Sequence, residues 1–287
     1  MKNILVPTDF SEVSAHALDF AVKLAKPFKA QIQLIHLEEV PLGDVSLHLS
    51  GEAGGGAISD DSLYNAQLFR SNKRRLETLR EKYETSDVAI RAFQHGGGFL
   101  KGIQSYLEDH EFDLIVIGTT GEESIQEFFS GKHTEQLIEH VNVPVISLQD
   151  EQLYPIKDIV LGLDIEDEKY TQKAFEQVDI ISRALNSTLH IIDVTRSHDN
   201  ESMMQQLNKM AKIAGLSNYL VDVIEDKDPK SALLEYAEGV NAGLVVILSE
   251  AKGGLYRFIH HSFAARLTKK SSIPVLTINK SQFMGKI

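Results

Sequence analysis

The chain contains no cysteine, which excludes disulfide bonds, thiolate metal sites and cysteine nucleophiles. No apolar run approaches the length that spans a membrane, and the N-terminal segment MKNILVPTDF lacks the extended apolar core of a signal peptide. Positive charge is scarce: 29 Lys and Arg residues face 41 Asp and Glu residues, for a formal net charge of −12. Because nucleic acids and anionic membranes attract a positive field, broad binding to either is disfavoured. We expect a cytoplasmic protein.

The residues that are present have the pattern of a globular α/β protein. The 287 residues leave room for two ordinary domains, and 43% apolar with 24% charged residues is typical of globular chains. In the first half, short apolar runs alternate with segments whose apolar residues recur at helical spacing. The runs lie at Lys2–Val6, Gln31–Leu37, Val88–Phe93, Leu114–Ile117 and Pro144–Leu148. This alternation predicts a parallel sheet with helices on both faces.

The second half repeats this series. The segment Leu244–Ile278 aligns without a gap on Leu114–Leu148, and Asp164 follows a predicted strand as Asp9 does. The sequence therefore predicts two copies of one domain, residues 1–150 and 151–287. The first copy is longer because of a Gly-rich polar loop, Pro41–Ser62, which is long for a compact domain. A lid and a disordered segment are both open interpretations of that loop.

Three glycines, Gly118, Gly121 and Gly131, follow the fourth apolar run with the spacing G-x2-G-x9-G. Glycines between a buried strand and a helix can leave backbone amides open to an anion such as phosphate. Plain turn residues have the same appearance, so the spacing alone does not decide between the two.

Taken together, four segments resemble the universal stress protein family in its tandem two-domain form. These are VPTDFSEVSAHAL, IQLIHL, the three-glycine spacing and VNVPVISL. The resemblance implies two tandem open sheets of five parallel strands, each in the order 3-2-1-4-5, in a Rossmann-like fold with helices on both faces. It also implies an ATP site and an internal pairing of the two copies like that of a dimer. The resemblance does not identify a protein partner, and it leaves open whether the chain forms a further homodimer.

In the order 3-2-1-4-5 the strand order reverses between strands one and four, and ligands bind outside the carboxyl ends at such a point. We expect Asp9 to accept hydrogen bonds from a base or ribose, and the amides after the glycines to bind phosphate. Similarity to the family adds backbone groups of Thr8 and Leu37 around adenine. The predicted ATP site, with or without Mg²⁺ held by the phosphates, comprises Pro7, Thr8, Asp9, Leu37, Ile117, Gly118, Gly121, Gly131, Lys132, His133 and Thr134. We also expect larger side chains at Gly118 and Gly121 to block binding while leaving the fold intact.

The two copies depart from the family pattern to different degrees. Lys132 stands where the family has Ser or Thr, and it is either a phosphate contact or a solvated residue at a helix start. In the second copy Leu248, Ala251 and His261 replace the three glycines. We therefore predict that the second domain binds no nucleotide and serves as the structural partner of the first.

Three functions remain open: a nucleotide-binding sensor or regulator of the stress response, a ligand-free scaffold, and a weak ATPase or phosphate-transfer enzyme. The chain has no G-x4-G-K-[ST] motif, and we identify no catalytic or metal-binding residues. His36 and His190 lie in strand patterns and are interpreted as satisfied structural residues. Each copy ends in an apolar strand, VPVISL or IPVLTI, whose open edge would be an aggregation hazard. We expect these two edges to pair antiparallel about a pseudo-twofold axis.

Lys132→Ala distinguishes the two interpretations of the lysine. If the ammonium contacts a terminal phosphate, the substitution should weaken ATP binding more than AMP binding, by up to about 1.5–3 kcal/mol for a well-formed charged contact. Calorimetric titration with both nucleotides measures the difference. An equal effect on ATP and AMP would place the side chain elsewhere.

Overall fold

A computed structural model describes residues 1–38, 60–119, 131–149, 155–163, 168–195, 200–249 and 273–283. The predicted loop at 41–62 lies outside these ranges up to residue 59, and residues 60–62 belong to a helix. The elements of the first half are β1 (Asn3–Pro7), α1 (Glu12–Phe28), β2 (Gln31–Glu38), α2 (Asp60–Tyr83), β3 (Ile90–Gly96), α3 (Phe99–Asp109), β4 (Leu114–Gly118), α4 (Gly131–His140) and β5 (Val145–Leu148).

The second half has the same alternation. Its elements are β6 (Asp158–Leu163), α5 (Glu168–Leu185), β7 (Thr188–Thr195), α6 (Asn200–Ile213), β8 (Tyr219–Glu225), α7 (Pro229–Gly239), β9 (Leu244–Ser249), β10 (Val275–Asn279) and a 3₁₀ turn (Lys280–Phe283). Among the described residues, no helix is both long and apolar enough to cross a membrane.

Local chemistry sets the ends of α1. The Ser11 hydroxyl accepts a hydrogen bond from the Ser14 amide at 3.2 Å, which caps the first turn. At the other end, Lys29 adopts a left-handed conformation with φ 51° and donates its amide to the last-turn carbonyls of Ala25 and Lys26. Pro27 lies in that last turn, and the helix ends one residue later, at Phe28.

The strands form one ten-stranded sheet in the order β3-β2-β1-β4-β5-β10-β9-β6-β7-β8. Each half is parallel and has the expected order 3-2-1-4-5. At the centre β5 and β10 pair antiparallel, with Ile146 opposite Leu276, so the predicted edge pairing is confirmed and the whole sheet is mixed. Ile146 and Leu276 are counterparts in the ungapped repeat alignment. The pseudo-twofold axis therefore passes between them.

Helices cover both faces of the sheet, as predicted. One core cluster joins α1, α2, α5 and α6 to the sheet through side chains such as Phe20, Leu76, Phe175 and Leu207. The other face buries α3, α4 and α7. Helix α1 also contacts α5 across the junction between the halves. Both core clusters contain residues from each half, so apolar packing is continuous across the junction.

The third strand runs further than its apolar pattern indicates. The sequence predicts Val88–Phe93, whereas β3 extends over Ile90–Gly96. Polar residues continue it because Gln94 and His95 pair with His36 and Leu37 of β2. Backbone pairing, which the apolar pattern does not reveal, therefore sets the end of this strand.

A tyrosine reaches the amino end of each half of the sheet, and Tyr106 is buried whereas Tyr236 is half-buried. Tyr106 donates to Gln33 Oε1 at 2.7 Å, and in the second half Tyr236 lies 3.0 Å from Nδ1 of His190. His190 Nε2 is also 2.9 Å from Asp158 Oδ1, which confirms that this histidine is satisfied. Burial raises the pKa of both tyrosines, so each remains a neutral hydroxyl.

The junction predicts how the first half behaves alone. A fragment of residues 1–150 exposes the apolar β5 edge, so it should form a dimer in sedimentation velocity experiments. Adding a fragment of residues 151–287 should replace that dimer with a one-to-one complex. A first-half fragment that stays monomeric at high concentration would show that this edge does not drive association.

Candidate functional site

The site predicted from the sequence maps to one edge of the sheet. β1 pairs with β2 on one side and with β4 on the other, and all three run parallel. Their carboxyl ends therefore meet at the same edge, where the strand order reverses. This brings together the strand-end residues of the predicted set: Pro7, Thr8, Asp9, Leu37, Ile117 and Gly118. Of these, Ile117 has its side chain in the apolar core.

Asp9 keeps one carboxylate oxygen available. Its Oδ1 accepts a hydrogen bond from the Ser11 amide at 2.9 Å, which forms a tight turn directly before α1. No described residue donates to its Oδ2. The side chain is half-buried, and the hydrogen bond to Oδ1 holds the carboxylate in place. Oδ2 is therefore a fixed acceptor.

Thr8 is almost fully engaged within the protein. Its amide donates to Ile35 O at 2.8 Å, and its Oγ1 accepts from the Phe10 amide at 3.1 Å and lies 3.1 Å from Ser14 Oγ. Its carbonyl oxygen is 2.7 Å from His36 Nδ1. The Thr8 amide is therefore unavailable to adenine, and its carbonyl offers a single remaining lone pair.

A polar network that the sequence did not predict supports Thr8. Since a carbonyl only accepts, His36 Nδ1 carries the proton, and its Nε2 accepts from Asn72 Nδ2 at 3.1 Å. Asn72 and Gln94 donate to Glu38 Oε1 at 3.2 and 2.9 Å. The reading of His36 as a satisfied residue is confirmed. The network could have been predicted from the two polar residues at alternate positions of β2, His36 and Glu38.

Leu37 offers main-chain groups beyond the end of β1. In the parallel β1–β2 ladder, the carbonyl of Ile35 accepts a hydrogen bond from the Thr8 amide. Alternate residues of a strand direct their main-chain groups to the same neighbouring strand, so those of Leu37 also point towards the β1 side. The next pairs would join the Leu37 amide to Thr8 O and the Leu37 carbonyl to the Phe10 amide. Thr8 O instead accepts from His36, and the Phe10 amide donates to Thr8 Oγ1. The ladder therefore stops, and within the described residues neither main-chain group of Leu37 has a partner on the β1 side.

Gly118 is required for helix packing. A Cβ at this position would lie 2.3 Å from Val13 O and 2.8 Å from Val13 Cγ1, because α1 packs directly against the end of β4. The expectation that a larger residue there leaves the fold intact is wrong. In addition, the first amide after this glycine, that of Thr119, donates to Leu148 O at 2.9 Å. That amide is used by the sheet and is not available to phosphate.

The remaining residues of the predicted site lie in the first turn of α4 or outside the residues that the structure describes. Gly131, Lys132, His133 and Thr134 begin α4, with the Lys132 side chain outside the described part, and Gly121 falls outside it altogether. Thr134 is 1% exposed, and its Oγ1 has no hydrogen-bond partner among the described residues.

The starts of α3 and α4 lie next to each other at the same edge. The rings of Phe99 and His133 pack edge-on with centroids 5.2 Å apart. Gly98, with φ 72°, precedes α3 and supplies no side-chain cap. Helix starts leave unpaired amides and carry the positive end of the helix dipole, which favours an anion.

Comparison with known proteins identifies the class of this chain. The model of the universal stress protein family matches residues 1–148 and 155–279, so the chain belongs to that family. Universal stress protein Slr1230 of Synechocystis is 22% identical over 96% of this chain and 99% of its own length.

Two solved structures are similar to this chain to different degrees. A universal stress protein from Archaeoglobus fulgidus covers 97% of this chain and 98% of its own, with a TM-score of 0.75 and 19% identity, which is a likeness of fold. Another universal stress protein, solved in complex with cAMP, covers 44% of this chain and 98% of its own, with a TM-score of 0.35 and 23% identity.

Gly118→Ala tests the packing at the end of β4. The added methyl group overlaps the Val13 carbonyl, so α1 must shift, and overpacking of this kind costs about 1–3 kcal/mol of unfolding free energy. Urea denaturation measures the loss. Gly239→Ala is the matched control, because no atom lies within 4 Å of a Cβ built there. Equal stability of the two variants would contradict the close approach.

Proposed function

We propose that the first half binds ATP at the carboxyl edge of β1, β2 and β4, and that the protein is a regulator or sensor of the stress response. The observation that carries the proposal is the pair of Leu37 main-chain groups, left at the edge where the β1–β2 ladder stops. One donor beside one acceptor complements the acceptor and amino donor on the hydrogen-bonding edge of adenine. Membership of the universal stress protein family supports the same ligand.

The rest of the nucleotide would extend across the edge towards the helix starts. Asp9 Oδ2 is a suitable acceptor for a ribose hydroxyl, whereas a carboxylate would repel phosphate. The adjacent starts of α3 and α4 supply the positive end of two helix dipoles for the phosphates. Lys132, in the first turn of α4, remains a predicted phosphate contact. Within the described residues no group of three or more His, Asp or Glu side chains could hold a metal. Any Mg²⁺ is therefore assigned to the phosphates.

We assign the second half a structural role. Leu248 takes the place of Gly118 in the repeat and buries its side chain, with 6% exposure, in the core. A bulky residue thus occupies the position where the first half has a glycine. This supports one nucleotide site per chain, with domain one (1–150) as the binding domain and domain two (151–287) as its partner. Location in the cytoplasm stays a prediction.

The geometry also suggests how occupancy would be transmitted. Asp9 orders the turn that leads into the Ser11 cap, so a ligand on its second oxygen acts on the start of α1. Helix α1 packs against β4 at Gly118 and contacts α5 of the second half. We propose that ATP stabilises this arrangement and so changes the surface offered to a protein partner.

Asp9→Asn tests the site with little disturbance. Asparagine keeps an oxygen to accept from the Ser11 amide but replaces the second acceptor with a donor. Losing a charged hydrogen bond of about 1.5–3 kcal/mol should weaken ATP roughly tenfold to a hundredfold in calorimetric titration. Asp164→Asn, at the repeat position in the second half, is the matched control and should leave ATP affinity unchanged.

Two results would contradict the proposal. Wild-type protein that neither binds ATP nor releases adenine-absorbing material on denaturation would favour a ligand-free scaffold. Equal losses from Asp9→Asn and Asp164→Asn would show that the carboxylate acts through general charge. Thermal melting of each variant verifies that the fold is retained.

A further inference from the structure

A concave surface lies between α1 and α2, next to the turn that carries Asp9. It is a groove of about 610 Å³, within the size range of small-molecule sites. We call it the α1–α2 groove. It is lined by Phe10, Ser11, Ser14, Ala15 and Leu18 from the α1 side and by Gln67, Arg70, Ser71, Arg74, Arg75, Thr78 and Leu79 from α2.

Among the residues that the structure describes, three arginines of the groove have no acidic partner. Arg70, Arg74 and Arg75 make no ion pair within the described part of the chain, although acidic residues outnumber basic ones by 41 to 29 over the full sequence. By contrast, Arg80, one turn further along α2, pairs with Glu77 and Glu84 at 2.7 Å. The guanidinium of Arg75 lies 4.0 Å above the Phe10 ring. The groove therefore concentrates positive charge on an acidic protein.

The fold itself does not require these arginines. Helix α6 occupies the place of α2 in the second half, between the second and third strands, and its sequence NESMMQQLNKMAKI contains no arginine. Both helices pack on the same face of the sheet. Since one copy of the domain folds without the cluster, its presence in the other copy calls for an explanation other than folding.

The other walls of the groove define the kind of ligand. Leu18, Leu79 and Phe10 supply apolar surface, and the serines near the start of α1 supply hydroxyl groups. The N-terminal end of α1 adds the positive end of its dipole. Guanidinium groups bind carboxylate and phosphate oxygens in a two-pronged geometry. The combination suits an apolar body that carries a compact anionic group.

We infer that the α1–α2 groove binds a small organic anion, an apolar molecule with a carboxylate or phosphate that Arg70 and Arg74 hold. Phe10 and the Arg75 guanidinium stacked on it form one wall of the site. This site is separate from the proposed nucleotide site, whose groups are Asp9 and the main chain of Leu37. It stands whether or not ATP binds there.

The test uses the full chain and three probes with the same apolar body: decyl phosphate, decanoate and decyltrimethylammonium, each below its micelle concentration. Calorimetric titration should show binding of at least one anion and much weaker binding of the cation. The double variant Arg70→Gln, Arg74→Gln should weaken the bound anions about tenfold or more, since each loses a charged contact. Whichever of phosphate and carboxylate loses more identifies the preferred group.

Arg91→Gln is the matched control, because Arg91 is an exposed arginine on β3 outside the groove. It should leave all three affinities unchanged, and the double variant should leave ATP affinity unchanged. Equal binding of anionic and cationic probes would overturn the inference, as would equal losses in the control and the double variant. A parallel loss of ATP affinity in the double variant would assign the arginines to the nucleotide site and would also overturn it. Matching thermal melts exclude unfolding as the cause.

Discussion

The antiparallel pairing of β5 with β10 is the contact on which the architecture depends. Each half alone is an open parallel sheet with an apolar last strand at its edge, and such edges template association. Pairing Ile146 with its own repeat counterpart, Leu276, lets each edge satisfy the other within one chain. The result is a single sheet whose core clusters both cross the junction, so the halves are packed as one body.

The two halves differ at the carboxyl ends of their strands, where the nucleotide site is proposed in the first half. In the first half, Gly118 lets α1 approach β4 so closely that a Cβ would lie 2.3 Å from Val13 O. In the second half Leu248 fills the corresponding place with a buried side chain. The residues that pair across the junction, 145–147 with 275–277, include neither Gly118 nor Leu248. This difference supports the proposal that only the first half holds a nucleotide site.

Much of the fold could be predicted from the periodicity of the apolar residues and from the internal repeat. The predicted run Leu114–Ile117 ends one residue before the end of β4, and the VPVISL and IPVLTI edges indicated the central pairing. The third strand was placed too early because Gln94 and His95 belong to it through backbone pairing. Periodicity detects buried side chains, and these two residues are polar. The position of the candidate site at the strand ends could also be predicted. It follows from the strand order, which the periodicity and the repeat indicate.

The details of the site could not be predicted, because they depend on which atoms are already bonded. Nothing in the sequence shows that the Thr8 amide is taken by Ile35 or that the Thr119 amide is taken by Leu148. Nor does it show that Gly118 is a glycine because Val13 packs against it. A glycine before a helix has the same appearance whether it admits a phosphate or a neighbouring backbone. Only the three-dimensional hydrogen-bond pattern separates the two.

The same short segment, from Thr8 to Ser14, borders both proposed sites of the first half. Thr8 Oγ1 binds the Phe10 amide, which holds Phe10 at a left-handed φ of 67° with its ring 4.5 Å from that of His36. This conformation places Asp9 on the strand edge and the Phe10 ring under Arg75 in the α1–α2 groove. A side chain with Cβ adopts positive φ at a cost, so the turn is kept in this state by the contacts on its two sides. A ligand that strengthens either set of contacts therefore stabilises the conformation that the other surface needs.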